Sequence, residues 1–180
     1  MEHSGQDAML RVFFGCRPAP ETRRRIAELR RLFHRYGRPV DEANIHLTLV
    51  FVGRVSPREA ERLAAAAELV HCDSFTLKLD RYGYWPRPRV LWVGAREVPP
   101  ALLDLQSRLN DVVRGAGFQT EKRPYSPHVT LVRKARRSVA RFAAETVAAI
   151  EWRVDRFALL QSVATDEGVR YPVLWEQGLR

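Results

Sequence analysis

The sequence predicts an α+β fold made of two similar lobes, and three observations carry that prediction. Runs with the two-residue alternation of strands interleave with runs whose apolar residues recur at helical spacing. The order of elements in the first half returns in the second. Each half also holds one strand-like segment beginning His-x-Thr-Leu, at His46 and at His128.

Leu10 to Cys16 reads as a strand, and Pro20 to Tyr36 as a helix with Ile26, Leu29, Phe33 and Tyr36 on one stripe, stopped by Gly37. A strand follows at Asn44 to Val52. Ser56-Pro57-Arg58-Glu59 is a capping box with proline at the first helical position, so an Ala-rich helix runs from there to Val70. Phe75 to Tyr82 and Val90 to Val93 are strands joined through the stiff turn Trp85-Pro86-Arg87-Pro88. In the second half a helix spans Pro100 to Arg114, stopped at Gly115 and Gly117. A strand covers His128 to Arg133 and a shorter helix follows Ser138. Strands at Trp152 to Ser162 and Val169 to Trp175 close the chain.

With 180 residues, 46% of them hydrophobic, the chain suits one domain over residues 1–180, its two lobes sharing a core. No run approaches the roughly 20 apolar residues of a membrane span, and Met1 to Ala8 has polar and acidic residues where a signal peptide needs apolar ones. A cytoplasmic monomer with no membrane partner is expected. Cys16 and Cys72 have neither a disulfide framework nor zinc-ligand spacing, which points to two unlinked, reduced thiols. The net charge of +9 favours association with polyanions such as nucleic acid, but with Lys78, Lys122 and Lys134 the only lysines, codon bias explains the arginine excess as well as phosphate recognition does.

The chemistry is concentrated in the paired motif, Ile45-His46-Leu47-Thr48-Leu49-Val50 and Pro127-His128-Val129-Thr130-Leu131-Val132. Residues two apart on a strand share a face, so each His stands beside its Thr while Leu47, Leu49, Val129 and Leu131 face the core. About 0.2 His-x-Thr triplets are expected by chance from this composition, so two in strand-like contexts are informative. A lone His on a half-buried strand is usually a packing residue. An accidental duplication, however, has no reason to keep both polar positions in phase on the pleat. Hydrolysis of a cyclic phosphodiester needs one proton removed from water and one delivered to the departing oxygen. An unperturbed imidazole, with its pKa near 6.5, can do either. The threonine hydroxyls can donate to the non-bridging oxygens. His3, His34 and His71 are assigned no chemistry, and His71-Cys72-Asp73 is an isolated triplet.

These segments resemble the two-histidine phosphoesterases, and within them the LigT-like RNA 2',3'-cyclic phosphodiesterases, also described as 2'-5' RNA ligases. The resemblance runs over almost the whole chain. Arg11-Val12-Phe13-Phe14 is similar to the opening strand, Asn44 to Leu49 to the first motif, and Phe51-Val52-Gly53 to its continuation. Pro86 to Trp92 resembles the central turn and strand. Gly117-Phe118 and Arg123 to Arg133 resemble the second motif and its lead-in. Leu160-Gln161-Ser162, Gly168 and Tyr171 to Leu174 resemble the close, with Gln161 where an acidic residue is usual.

The resemblance implies a bilobal fold in which two antiparallel sheets form a central cleft, with helices outside. It also implies opening of an RNA or nucleotide 2',3'-cyclic phosphate to a 2'-phosphate, with reversible 2'-5' ligation as a side activity. No cofactor or metal is implied. His46 becomes the proton donor to the leaving O3', His128 the proton acceptor, and Thr48, Thr130 and Arg133 the phosphate-binding residues, although strand parity from His128 puts Arg133 on the opposite face unless the strand bends. Phe13 or Phe14, Tyr84, Trp85 and Tyr125 are candidate platforms for a base. The alternative, a non-catalytic single-stranded RNA-binding module, explains the charge but not the phased pair. A metal-dependent phosphodiesterase would gather carboxylates where each motif has threonine.

Overall fold

Strand propensity and alternation place most of the β-strands where β-branched and aromatic residues recur every second position. Helices form where alanine, leucine and arginine dominate. The structure, a computed structural model, describes residues 8–180. His3 lies outside the described residues. In order come β1 (Leu10–Cys16), α1 (Pro20–Arg31), β2 (Arg38–Pro39), β3 (Leu47–Val55), α2 (Pro57–Ala67), β4 (Phe75–Trp85), β5 (Val90–Gly94) and α3 (Pro100–Gly115). Then follow β6 (His128–Arg133), β7 (Thr146–Val154), β8 (Arg156–Gln161), β9 (Val163–Thr165), β10 (Gly168–Arg170) and β11 (Val173–Gly178).

The α+β fold is as expected, and all strand pairs are antiparallel. The main sheet runs β11-β8-β1-β3-β6-β5-β4-β7, with β2 on β6 and the β9-β10 hairpin apart. It consists of two halves, four strands in one and five, counting β2, in the other, because β3 and β6 share a single residue pair, Leu47 with Val129. The C-terminal strands β8 and β11 return to the first half, so halves in space are not halves in sequence. Helices cross over as well. α1 packs on β6 and β7, whereas α2 packs on β1 and β3 and α3 on β3.

Several boundaries differ from the sequence expectation, each for a local reason. α1 stops at Arg31, where the Leu32 and Phe33 amides turn back three residues to the Leu29 and Arg30 carbonyls, and a 3-10 turn at His34–Tyr36 follows. Phe33 and Tyr36 stay on the apolar stripe by packing edge-on against Phe142. The strand expected from Asn44 begins only at Leu47, because the Asp41 carboxylate accepts from the Ala43 amide and caps a 3-10 turn at Glu42–Asn44. The capping box at Ser56 is formed as expected. The helix expected after Ser138 is a 3-10 segment, Arg137–Ala144, and β7 starts directly beyond it. The strand expected over Trp152 to Ser162 is divided between β7 and β8. Pro172, which has no amide to donate, separates β10 from β11.

Two glycines shape the wall that later bears on chemistry. The Trp92 ring lies flat across Gly83 and Gly94, where an added Cβ at Gly83 would collide with the ring and one at Gly94 would sit 2.8 Å from it. Gly83→Ala is therefore expected to destabilise the protein by about 1–3 kcal/mol through overpacking. Urea unfolding checks this, and an unchanged midpoint would contradict the packing described.

Candidate active site

The two motifs meet at the seam. The antiparallel register of the Leu47–Val129 pair sets His46 opposite Thr130 and Thr48 opposite His128, so the two histidines lie on a diagonal. Leu47, Val129, Leu49 and Leu131 are buried, as the alternation requires, while the two histidines and two threonines are half-buried on the other face. Pairing stops after one residue pair, the strands part, and a cleft of about 800 Å³ opens. His46, Thr130 and Arg133 line it together with Arg11, Arg38 and Tyr171.

The imidazoles are held in the same way. His46 Nδ1 lies 2.6 Å from the Asn44 carbonyl, and His128 Nδ1 lies 2.9 Å from the Ser126 carbonyl. A carbonyl only accepts, so each Nδ1 carries its proton and each Nε2 is left for exchange. The Thr48 hydroxyl, 3.1 Å away, donates to His46 Nε2 while that ring is neutral. Asn44, a buried polar residue at 9% exposure, also donates through Nδ2 to the Val169 carbonyl at 2.6 Å. Arg170 bridges Asp41 at 3.0 Å and Glu167 at 3.2 Å, which seats the β9-β10 hairpin beside the cleft.

Aromatic rings fix the orientation further. His46 packs against Phe13 at 5.1 Å and edge-on to Tyr171 at 4.8 Å, and His128 lies edge-on to Trp85 at 4.4 Å. Of the candidate base platforms, Phe14 is core and Phe13 is buried under His46. Tyr125 donates its hydroxyl to the Thr48 carbonyl at 2.9 Å, a tie between the halves. Its burial pushes the phenol well above its ordinary pKa.

Arg133 reaches the cleft because β6 does bend. Thr130 pairs with Trp92, but Val132 pairs with Leu91, which leaves Leu131 as an extra residue. This bulge reverses the parity, so Val132 joins the core and Arg133 turns to the cleft face. The same happens in β3. Thr48 pairs with Gly15 and Val50 with Phe14, leaving Leu49 extra, and Phe51 turns to the face of its partner Phe13. Phe51, 50% exposed, is thus the positional counterpart of Arg133 and was not among the residues expected from sequence.

Burial lowers the pKa of both rings. His46 is brought down to about 4, chiefly by loss of solvent and further by the positive charges of Arg133, His128 and Arg17, against the Asn44 carbonyl. His128 is lowered by the same loss of solvent and by Arg133, opposed by the Ser126 carbonyl and Glu121. Among the described residues, no group of three or more His, Cys, Asp or Glu is placed to hold a metal ion. His71 is exposed near the buried free thiol of Cys72, and Cys16 is likewise a buried free thiol. No described helix is long and apolar enough to cross a membrane.

Comparison with known proteins follows the same lines. The family model for the 2'-5' RNA ligase superfamily matches residues 18–166. The chain is 37% identical to the RNA 2',3'-cyclic phosphodiesterase of Escherichia coli over 72% of this chain and 74% of that protein. It is 31% identical to the protein of that name from Aeropyrum pernix over 84% of this chain and 93% of the other. The crystal structure of Escherichia coli LigT complexed with 3'-AMP superimposes with a TM-score of 0.84 at 33% identity, covering 95% of this chain and 98% of that one.

The paired electrostatics can be read directly by NMR titration of the rings in the ligand-free protein. His46 is expected to titrate near pH 4 and His128 below its ordinary 6.5. Arg133→Gln removes a cation that opposes both imidazolium forms, so both midpoints rise. A His46 midpoint at 6.5 or above in the unaltered protein would contradict the burial described.

Proposed function

The chain belongs to the 2'-5' RNA ligase superfamily, and from that premise we propose that it opens the 2',3'-cyclic phosphodiester at an RNA 3' end to a 2'-phosphate. Attack by a 5'-hydroxyl in place of water would give 2'-5' ligation. The observation that carries the proposal is the pair of Nδ1-anchored imidazoles presented across one seam. The Escherichia coli and Aeropyrum pernix relatives are RNA 2',3'-cyclic phosphodiesterases, and 3'-AMP is bound by the LigT structure. A purely RNA-binding module leaves the paired anchors without purpose.

In the proposed reaction, a water oxygen attacks phosphorus in line with O3'. His128 Nε2 takes the water's proton, the P–O3' bond breaks, and His46 Nε2 delivers a proton to O3'. The P–O2' bond remains. Thr48 and Thr130 donate to the non-bridging oxygens, and Arg133 offsets their charge. Both rings favour the neutral form in the empty site, so the substrate's own negative charge supports the protonated one. Each turnover moves one proton from His46 to His128, and exchange with solvent resets the pair. Phe51, half exposed beside Phe13, offers a flat ring for one face of the terminal base. Two buried free thiols suit a reducing compartment, and action in the cytoplasm is part of the proposal.

His46→Ala and His128→Ala are each expected to lower turnover of a 2',3'-cyclic nucleotide by about 10² to 10⁴-fold with circular dichroism unchanged. Full activity in either variant would sink the mechanism. Replacing O3' by sulfur separates the roles, since a thiolate leaves without a proton. The His46 variant should then recover much of its rate and the His128 variant should not. Rescue of His128→Ala alone would exchange the two assignments.

Phe51→Ala is expected to raise KM about tenfold and change kcat little, as loss of one stacking partner would. A fall in kcat at constant KM would place Phe51 with the reacting groups instead. For the free enzyme, both lowered pKa values put the limbs of the kcat/KM profile below pH 6.5. The constant therefore falls as pH rises through neutrality, and a plateau extending to pH 9 would count against the paired rings.

A further inference from the structure

We propose that the RNA chain leading to the cyclic end runs out of the cleft over a strip of arginines and lysine on the second half, which binds its phosphates. The strip begins inside the cleft. Arg38 on β2 faces Arg133 on β6, and both line the cavity. It continues outward through Lys134 to Arg136, whose amide donates to the Tyr36 carbonyl at 2.7 Å and so brings the segment at 133–137 against the turn bearing Arg35. Close packing holds the two together, since a Cβ at Gly37 would lie 2.8 Å from the Arg133 carbonyl and 2.9 Å from the Ala135 Cα. Arg35, Arg38, Arg133, Lys134, Arg136 and Arg137 are all exposed.

The charge of this surface is of one sign. Between Glu28 and Asp41, and again between Glu121 and Glu145, the sequence has no acidic residue. None of the six cations takes part in a described ion pair, so no carboxylate among the described residues offsets the strip. Six uncompensated charges continuous with the catalytic cleft exceed what one cyclic phosphate needs. They match a polyphosphate chain, whose binding releases counterions at each phosphate. Arginine also suits phosphate, because its planar fork donates two hydrogen bonds at once.

The inference rests on the proposed reaction, and its test separates the two. The probes are a 2',3'-cyclic mononucleotide and a short single-stranded oligoribonucleotide ending in the same cyclic phosphate. The variant is the triple Arg35→Glu, Arg136→Glu, Arg137→Glu, all outside the cleft. Turnover of the mononucleotide should equal that of the unaltered enzyme, which also shows that the variant folds. On the oligoribonucleotide, kcat/KM should fall at least tenfold through KM, and its log–log dependence on salt should flatten by about 2, or roughly 0.7 for each phosphate no longer neutralised. Fluorescence anisotropy with a labelled RNA of the same length but no cyclic end reads the strip without any catalysis, and the triple variant should bind it at least tenfold more weakly. Equal RNA affinity and salt slope in variant and parent would overturn the strip, as would an equal loss on both substrates. Weaker RNA binding by the triple variant, together with a parent enzyme that cleaves neither substrate, would leave the strip standing and remove the proposed reaction.

Discussion

A single backbone pair, Leu47 with Val129, sets the geometry on which the site depends. Both residues are buried, and each is flanked by the histidine and threonine of its motif. The pair therefore fixes the distance and the diagonal relation of four polar side chains that come from segments some eighty residues apart. One pair would be a weak join by itself. It is reinforced by the crossed helices, with α1 from the first half of the sequence under β6 and β7, and α3 from the second half against β3. The hydrogen bond from Tyr125 to the Thr48 carbonyl adds a further tie, made within the first motif itself. The halves can part enough to leave a cleft because the ladder stops at one pair, and they cannot slide because the helices are exchanged.

Electrostatics within that frame are arranged as a deficit of negative charge. Burial and Arg133 both press the imidazoles toward neutrality, and no carboxylate among the described residues contacts either ring in the way an aspartate supports a catalytic histidine in a triad. Backbone carbonyls hold the Nδ1 protons instead. A carbonyl fixes the tautomer without adding charge, so the state of Nε2 stays responsive to whatever anion enters. In the proposed reaction, whose substrate carries one negative charge, arrival of the substrate is then the event that prepares an acid.

Much of this was legible in the sequence, and the losses have physical causes. The bounds of β1 and β6, the start of α3, the capping box at Ser56 and the paired His-x-Thr strands follow from local rules that depend on a few neighbouring residues. The turn at Glu42–Asn44 hides behind Asn44-Ile45, whose pattern suits a strand, because the capping role of Asp41 is a local competition that alternation does not register. Beyond Ser138 the alternation of β7 follows a short 3-10 segment with no proline or glycine to mark the change. The exchange of helices between halves is a tertiary fact with no local trace. The bulges did leave a signal. Leu49-Val50 and Leu131-Val132 each put two apolar residues in succession where strict alternation allows one, and a doubled core position in both motifs implies a reversal of face beyond it. That doubling marks Phe51 and Arg133 together.

The two motifs agree at every position of the burial pattern from the histidine to the residue after the bulge, and they differ in chemistry only at its end, with Phe51 in one and Arg133 in the other. A symmetric pair of histidines has no means of telling which side of a nucleotide it faces. The end of a nucleic acid strand is not symmetric, since it has a base on one side and a charged chain on the other. Divergence at the position past each bulge gives the proposed site a direction without disturbing the paired rings. The surface carries that direction outward on the second half, where the uncompensated cations continue from Arg133 through Lys134 and Arg136. In the proposed reaction the symmetry of the fold serves the proton transfers, and the asymmetry that begins at Phe51 and Arg133 serves recognition.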